Sequence, residues 1–469
     1  MAQAETDYLI VGSGAVGMAF ADTLLDESDA HITIVDRHGK PGGHWNDAYP
    51  FVALHQPSAF YGVNSMELGS GQIDETGPNK GYYELATGAE VNSYFEKVME
   101  KRFLPSGRVS YHPMSDYVGD GKFVSLLSGS ETKIQVRKKI VDATYYGTTV
   151  PATHKPKFDV ADTVTMIPPN SLPKLWQSEG SRPEKFVILG AGKTAMDVGI
   201  WLLRSGARPE DIVWVCPRDS WLINRNNTQP GAEFFHQTIG GQKDLMGALA
   251  EAETAEDLFL KLEACGVMLR IDPNAKPSMF HYATISQNEV DLLRQIKSVI
   301  RMGHVRSLDD EGMQLEEGDV PISAKSLYID CTATAVERRP PIPQFQDNLI
   351  TLQMIRVPQP PFSAALSAFL EVTYDDDETK NNLGRPVPLP DGIEQYPAAT
   401  MVNMMNQFQW SQNKTVQKWV TQSRLDGFGK MFASVAPDDQ EKQAVLEQFR
   451  ANAMAAMGNL PKLIAQAEG

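Results

Sequence analysis

Two stretches of the chain share one pattern of apolar and polar positions. "DYLIVGSGAVGMAFADTLL" (7–25) begins with a short unbroken apolar run, crosses three spaced glycines and continues with helical periodicity. "KFVILGAGKTAMDVGIWLL" (185–203) repeats it. Each predicts a buried strand, a tight turn and a helix. A further apolar run follows each helix, "HITIVD" ending at Asp36 and "DIVWVC" ending at Cys216, and each predicts a second strand. Both units then carry a hairpin pattern. In the first it is "KFVSLLSGSETKIQVRKKIV" with a turn at 128–131, closing on "DAT" at 142–144. In the second it is "MQLEEGDVPISAKSLYI", closing on "DCTAT" at 330–334. Two copies of one α/β module, in the same internal order, are the simplest reading.

Elsewhere the pattern is helical. "TGAEVNSYFEKVMEKRF" carries a capping box, Thr87 to Glu90, ahead of Val91, Tyr94, Phe95, Val98 and Phe103 at helical spacing. "WQSEGSRPEK" (176–185) reads as a linker into the second module. Residues 221–300 hold inserted helices, and Arg225, Asn226 and Asn227 read as a polar loop, with a place beside a nicotinamide as the other reading. "QPPFSAALSAFLEV" returns the chain to the first module. "TMVNMMNQFQWSQNKTVQKWV" is a Met- and aromatic-rich helix. Such a stripe is ordinarily core, with a substrate-pocket cover or a homodimer contact as the alternatives.

The glycines carry chemistry. Gly12 allows the tight turn, Gly14 lets backbone approach a pyrophosphate, and Gly17 lets helix and strand pack closely. The helix start then offers free N–H groups to an anion. Asp36, at the strand end and followed by Arg37, can accept both ribose hydroxyls and would repel a 2′-phosphate, so the first ligand is FAD or NAD. In the second unit the spacing is Gly190, Gly192, Ala195, and no acid ends the following strand. Arg218 stands near that place instead and suits a 2′-phosphate, which indicates NADPH, with Asp219 beside it as a counter-argument. The economical pairing is FAD in the first site and NADPH in the second, with hydride passing between them.

Composition removes other classes. A length of 469 residues suggests two or three domains. A net charge of −16 argues against nucleic acid and anionic membranes as partners. Cys216, Cys265 and Cys331 lie far apart, with no redox or zinc spacing, which points to a reducing compartment, by default the cytoplasm. No signal peptide and no membrane span is read from the sequence.

These motifs resemble the two-dinucleotide-binding flavoproteins, and within them the class B flavin monooxygenases, which include flavin-containing and Baeyer–Villiger monooxygenases. The resemblance rests on both glycine loops and on Gly42, Gly43, Trp45, Tyr49 and Pro50, followed by "LHQPSAFY". It implies that Gly43 passes the cofactor's pyrophosphate side, that Trp45 walls the isoalloxazine, and that His55 and Gln56 lie over the flavin, with His55 as the catalytic candidate. The Baeyer–Villiger fingerprint is missing from "FDVADTVTMIPPNSLPKLW", and Ala335 stands where a glycine is usual in "TATA".

The expected fold is α/β, with two Rossmann-like dinucleotide-binding domains, the second inserted in the first, and a helical C-terminal segment. The boundaries are 1–170 and 326–385 for the FAD domain, 171–325 for the NADPH domain and 386–469 for the C-terminal helices. The expected activity is an FAD- and NADPH-dependent monooxygenase placing one atom of O2 on a small organic substrate through a flavin C4a-(hydro)peroxide. A flavin reductase or oxidase and a non-catalytic flavin sensor are the alternatives.

Overall fold

The computed structural model describes residues 5–177, 182–334 and 336–467. Part of the expected linker at 176–185, and Ala335 itself, lie outside them. Two sheets organise the chain. The first has six strands in the order Phe345–Gln346, Leu349–Thr351, Gln135–Asp142, Glu5–Val11, Ile32–Val35, Val109–His112. All neighbours are parallel except the pair Phe345–Gln346 and Leu349–Thr351. The second has five parallel strands, Ser298–Ile300, Ile212–Val215, Phe186–Leu189, Leu327–Asp330 and Met166–Ile167. Ile32–Val35, Phe186–Leu189, Ile212–Val215 and Leu327–Asp330 are buried at every residue, because helices cover one face of each sheet and a small β-sheet covers the other, within 115–133 in the first module and 305–321 in the second. The second sheet interrupts the first in sequence, so the second Rossmann-like domain is inserted in the first.

The two modules match bond for bond. The Gly12 amide donates to Val35 O at 2.8 Å, and the Gly190 amide donates to Val215 O at 3.0 Å. The Asp36 amide donates to His112 O, and the Cys216 amide to Ile300 O. At the closing strands, the Thr144 hydroxyl donates to Asp142 Oδ1 at 2.7 Å and the Thr332 hydroxyl to Asp330 Oδ1 at 2.6 Å.

Three details differ from the pattern reading. The hairpin of the first module ends at Glu131–Lys133, and Gln135–Asp142 leaves it to join the main sheet. Asp159–Val160 and Met166–Ile167 already pair with strands of the second module, ahead of the boundary expected at residue 171, because their backbone groups complete its sheets. The Met-rich helix is two helices, Tyr396–Gln412 and Lys414–Gln422, divided at Asn413, whose side chain caps the second. The capping box Thr87–Glu90 is present, and Val91, Tyr94, Phe95, Val98 and Phe103 are buried. Helix Pro360–Thr373 packs on the first glycine helix, Ala15–Glu27, and the Tyr8 hydroxyl donates to Glu371.

Candidate active site at the domain interface

The first glycine loop explains its own sequence. Gly12 has φ of +101°, a left-handed conformation that favours glycine. A Cβ on Gly17 would lie 2.0 Å from Gly12 O, so only glycine lets this helix approach the turn. A Cβ on Gly43 would lie 2.9 Å from Gly14 Cα, so the Gly-Gly pair at 42–43 lies backbone against backbone on the glycine loop. The Gly42 amide donates to Ser13 O. Helix Ala15–Glu27 starts at Gly14 with no side-chain cap and no acid in its first turn. That leaves unclaimed N–H groups facing the Gly-Gly pair, which suits an anion.

Asp36 is buried and already engaged. One carboxylate oxygen accepts from the Ser13 amide and, at 2.8 Å, from the Ser13 hydroxyl; the other accepts from the His38 amide and ring. These bonds outweigh burial and hold its pKa below the usual range. His38, which the sequence reading passed over, bridges Asp36 and Asp47 at 3.0 and 2.8 Å. The bond to Asp36 foremost raises its pKa to about 9, so it is an imidazolium at neutral pH. It ties the strand end to the loop carrying Trp45. Arg37 points the other way and pairs with Asp116 on the surface. Trp45 is buried in the first domain's core, with its indole N–H donating to Tyr61 Oη at 2.8 Å.

The second loop is more open. Gly190 has φ of +114°, and a Cβ there would lie 2.8 Å from Cys331 O. A Cβ on Gly192 would meet nothing within 4 Å. Ala195 is buried in the third-glycine place. Helix Lys193–Arg204 likewise starts without a side-chain cap or an acid in its first turn. Arg218 is exposed, and among the described residues it has no partner. Asp219 does not bind it and pairs with Arg301.

The two modules meet in a charged, mostly buried cluster. Tyr49, from the Tyr-Pro pair, donates to Asp197 Oδ2 at 2.7 Å across the domain boundary. Lys193 binds the other oxygen of Asp197 and lies 3.8 Å from Glu289. Arg225, 1 % exposed, meets Glu289 at 2.7 Å, Asn79 Oδ1 at 3.2 Å and the His55 carbonyl at 2.8 Å. Its Nη2 is buried without a partner. Despite burial, the two cations bring the Glu289 pKa down to about 2. Burial raises Asp197 and the Tyr49 phenol. His55 is half-buried here, and burial, reinforced by Lys193 and Arg225, depresses its imidazole well below the usual range. It is neutral, able to give one hydrogen bond and take one. Gln56 follows it, also half-buried. Of the predicted residues, this interface gathers His55. Lys193, Asp197 and Glu289 were missed. The Lys-x-x-x-Asp spacing put the first two on one helix face, but nothing in the sequence placed Glu289 beside them.

Two Rossmann-like domains, one inserted in the other and each opened by a glycine loop, are the fold of the two-dinucleotide-binding flavoproteins, the class to which the class B flavin monooxygenases belong. A family model described as an NAD(P)-binding Rossmann-like domain matches residues 10–65. The polycyclic ketone monooxygenase of Thermothelomyces thermophila superposes with a TM-score of 0.52 at 12 % identity, over 99 % of this chain and 88 % of that one. The structure titled OTEMO complex with FAD and NADP does so with a TM-score of 0.50 at 12 % identity, over 79 % of this chain and 85 % of that one. In sequence, the chain is 42 % identical over 460 residues to the uncharacterized protein Rv2000 of Mycobacterium tuberculosis, covering 98 % of this chain and 84 % of that protein. It belongs to the same family. Among the described residues, no helix is long and apolar enough to cross a membrane.

Proposed function

We propose that the protein is an FAD-dependent, NADPH-using monooxygenase that places one oxygen atom of O2 on a small organic substrate. One observation carries this reading. Two equivalent loops, each opening an uncapped helix, belong to domains that meet at the contact between Tyr49 and Asp197. Two nucleotides held so can exchange hydride, and a single-nucleotide sensor would need no second loop.

In this reading Gly12, Gly14, Gly17 and Gly43 cradle the FAD pyrophosphate, Asp36 holds the ribose side, and Trp45 supports the loop at the flavin. Gly190, Gly192 and Ala195 serve NADPH, with Arg218 at its 2′-phosphate. The flavin supplies two-electron chemistry with NADPH and O2. The neutral His55 donates or accepts one hydrogen bond at the reacting face, with Gln56 beside it, and Arg225 fixes the His55 carbonyl. The buried interface excludes water there.

The test is a pair of glycine variants. A methyl on Gly14 would meet only the Gly43 backbone, at 3.6 Å from Cα and 3.9 Å from N, and one on Gly192 would meet nothing, so both variants fold. Gly14→Ala is expected colourless. Gly192→Ala is expected yellow but slowly reduced by NADPH. Full flavin occupancy in the first, or normal reduction in the second, overturns the assignment. With the wild type, oxygenated product from amines, sulfides or ketones under ¹⁸O2 separates a monooxygenase from a reductase or oxidase, which returns only hydrogen peroxide.

A further inference from the structure

A cleft of about 450 Å3 opens beside the second glycine loop, walled in part by Ala191, Trp214, Cys216, Asp219, Asp272 and Arg301. It lies at the strand end where the first module has Asp36. The equivalent residue is Cys216, fixed by the matching amide bond to Ile300 O. Burial pushes the Cys216 thiol up to about 12, so this position carries no charge at neutral pH. The acid nearest in sequence, Asp219, is not bare. Arg301 donates to both of its oxygens, at 2.8 and 3.0 Å, and reaches Asp272 at 3.1 Å. Arg218, the residue before Asp219, is exposed.

A bare Asp219 would repel a nucleotide 2′-phosphate and favour a 2′-hydroxyl. An Asp219 held by two guanidinium bonds has both oxygens occupied and its charge offset by Arg301, which Asp272 shares, and the neighbouring Arg218 adds a second cation. We infer that Arg301 is a specificity-determining positioning residue, which masks Asp219 so that the cleft accepts an adenosine 2′-phosphate. The inference rests on the proposed NADPH site and extends it. It also removes the objection that Asp219 raised against Arg218. Asp272 shares the same guanidinium and keeps Arg301 in the cleft.

The experiment uses the full chain with its flavin and reads binding alone. Adenosine 2′,5′-bisphosphate and adenosine 5′-monophosphate are titrated calorimetrically into wild type, R301Q, R301K and the double variant R301Q/D219N. Wild type is expected to prefer the bisphosphate. R301Q should lose that preference by about ten- to a hundredfold, the cost of bringing a phosphate to an exposed carboxylate, with monophosphate affinity retained. R301K should keep most of it, and R301Q/D219N should regain part of it, since Asp272 is still unpaired there. An unaltered preference in R301Q overturns the inference. So does a double variant that recovers none of the preference, which would show that masking Asp219 is not what Arg301 does. Equal loss of both ligands in R301Q would make it a fold residue and overturn it too. A wild type indifferent to the 2′-phosphate overturns the NADPH assignment itself, and the role of Arg301 with it.

Discussion

Asp36 and Cys216 occupy the same place in two copies of one module, and the chemistry of each site turns on such single positions. His38 is another. Its pKa is raised above that of a free histidine chiefly by Asp36, so the bridge to Asp36 and Asp47 contributes fully below about pH 6.5 and fades as pH rises through about 9. His38→Gln is therefore expected to lower stability by about 1–2 kcal/mol near pH 6, after allowance for partial exposure, and by almost nothing near pH 10. Thermal midpoints at both pH values, for wild type and variant, check the sign. A pH-independent difference would mean that His38 is not the titrating bridge. His55 makes a kinetic prediction. His55→Ala should bind FAD and accept electrons from NADPH at a near-normal rate. Its oxygen transfer should lose about 2.7–4 kcal/mol of transition-state stabilisation if the ring is a preorganised donor. The readout is the share of NADPH electrons recovered as hydrogen peroxide, and an unchanged share would remove His55 from the mechanism.

Among the elements, the segment joining the C-terminal helices has a role the Met-rich pattern did not suggest. Arg424 donates to the carbonyls of Ala59, Tyr61 and Val63, the loop that follows His55. Phe428 stacks on Phe60, and a Cβ on Gly427 would lie 1.7 Å from the Phe60 ring. Helix Gly427–Ala433 thus seats that loop from outside. Arg424→Ala leaves buried carbonyls without donors and should cost about 2–4 kcal/mol. Gly427→Ala should cost about 1–3 kcal/mol through overpacking. Both should release FAD at lower denaturant than wild type, followed by flavin fluorescence. Retained flavin in a measurably destabilised Arg424→Ala would separate this segment from the site. Helix Gln440–Ala467 does different work. It packs along Phe235–Glu251, and Asn459 donates to the Leu249 and Ala252 carbonyls.

Over the whole molecule, the cluster of Tyr49, Lys193, Asp197, Arg225 and Glu289 joins the domains. Removing the Glu289 carboxylate leaves the buried Arg225 without its ion-pair partner, so Glu289→Gln should cost about 3–5 kcal/mol. The Glu289 carboxyl, depressed to about 2, contributes stability present above its unfolded value near pH 4.3 and lost as pH falls toward 2. The gap in urea midpoint between wild type and Glu289→Gln should be full at pH 7 and shrink toward pH 2. A gap that stays constant over that range would place the loss in packing and not in charge.

Local pattern by itself determined the two modules, since strand, glycine turn and helix are read within some twenty consecutive residues, and Gly17 records a contact with Gly12 only five residues away. It also determined the capping box and the chemical bias of each strand end. It did not determine which groups meet across domains. Tyr49 and Asp197 are 148 positions apart and Arg225 and the His55 carbonyl 170, and no periodicity relates them. Nor could it tell that Asp219 is held by Arg301, 82 residues on, so the charge the cleft presents was legible only in the fold. Burial decided the rest. Burial, with Lys193 and Arg225, lowers the His55 pKa and leaves the ring neutral, while the same two cations lower the Glu289 pKa against burial and keep it ionised.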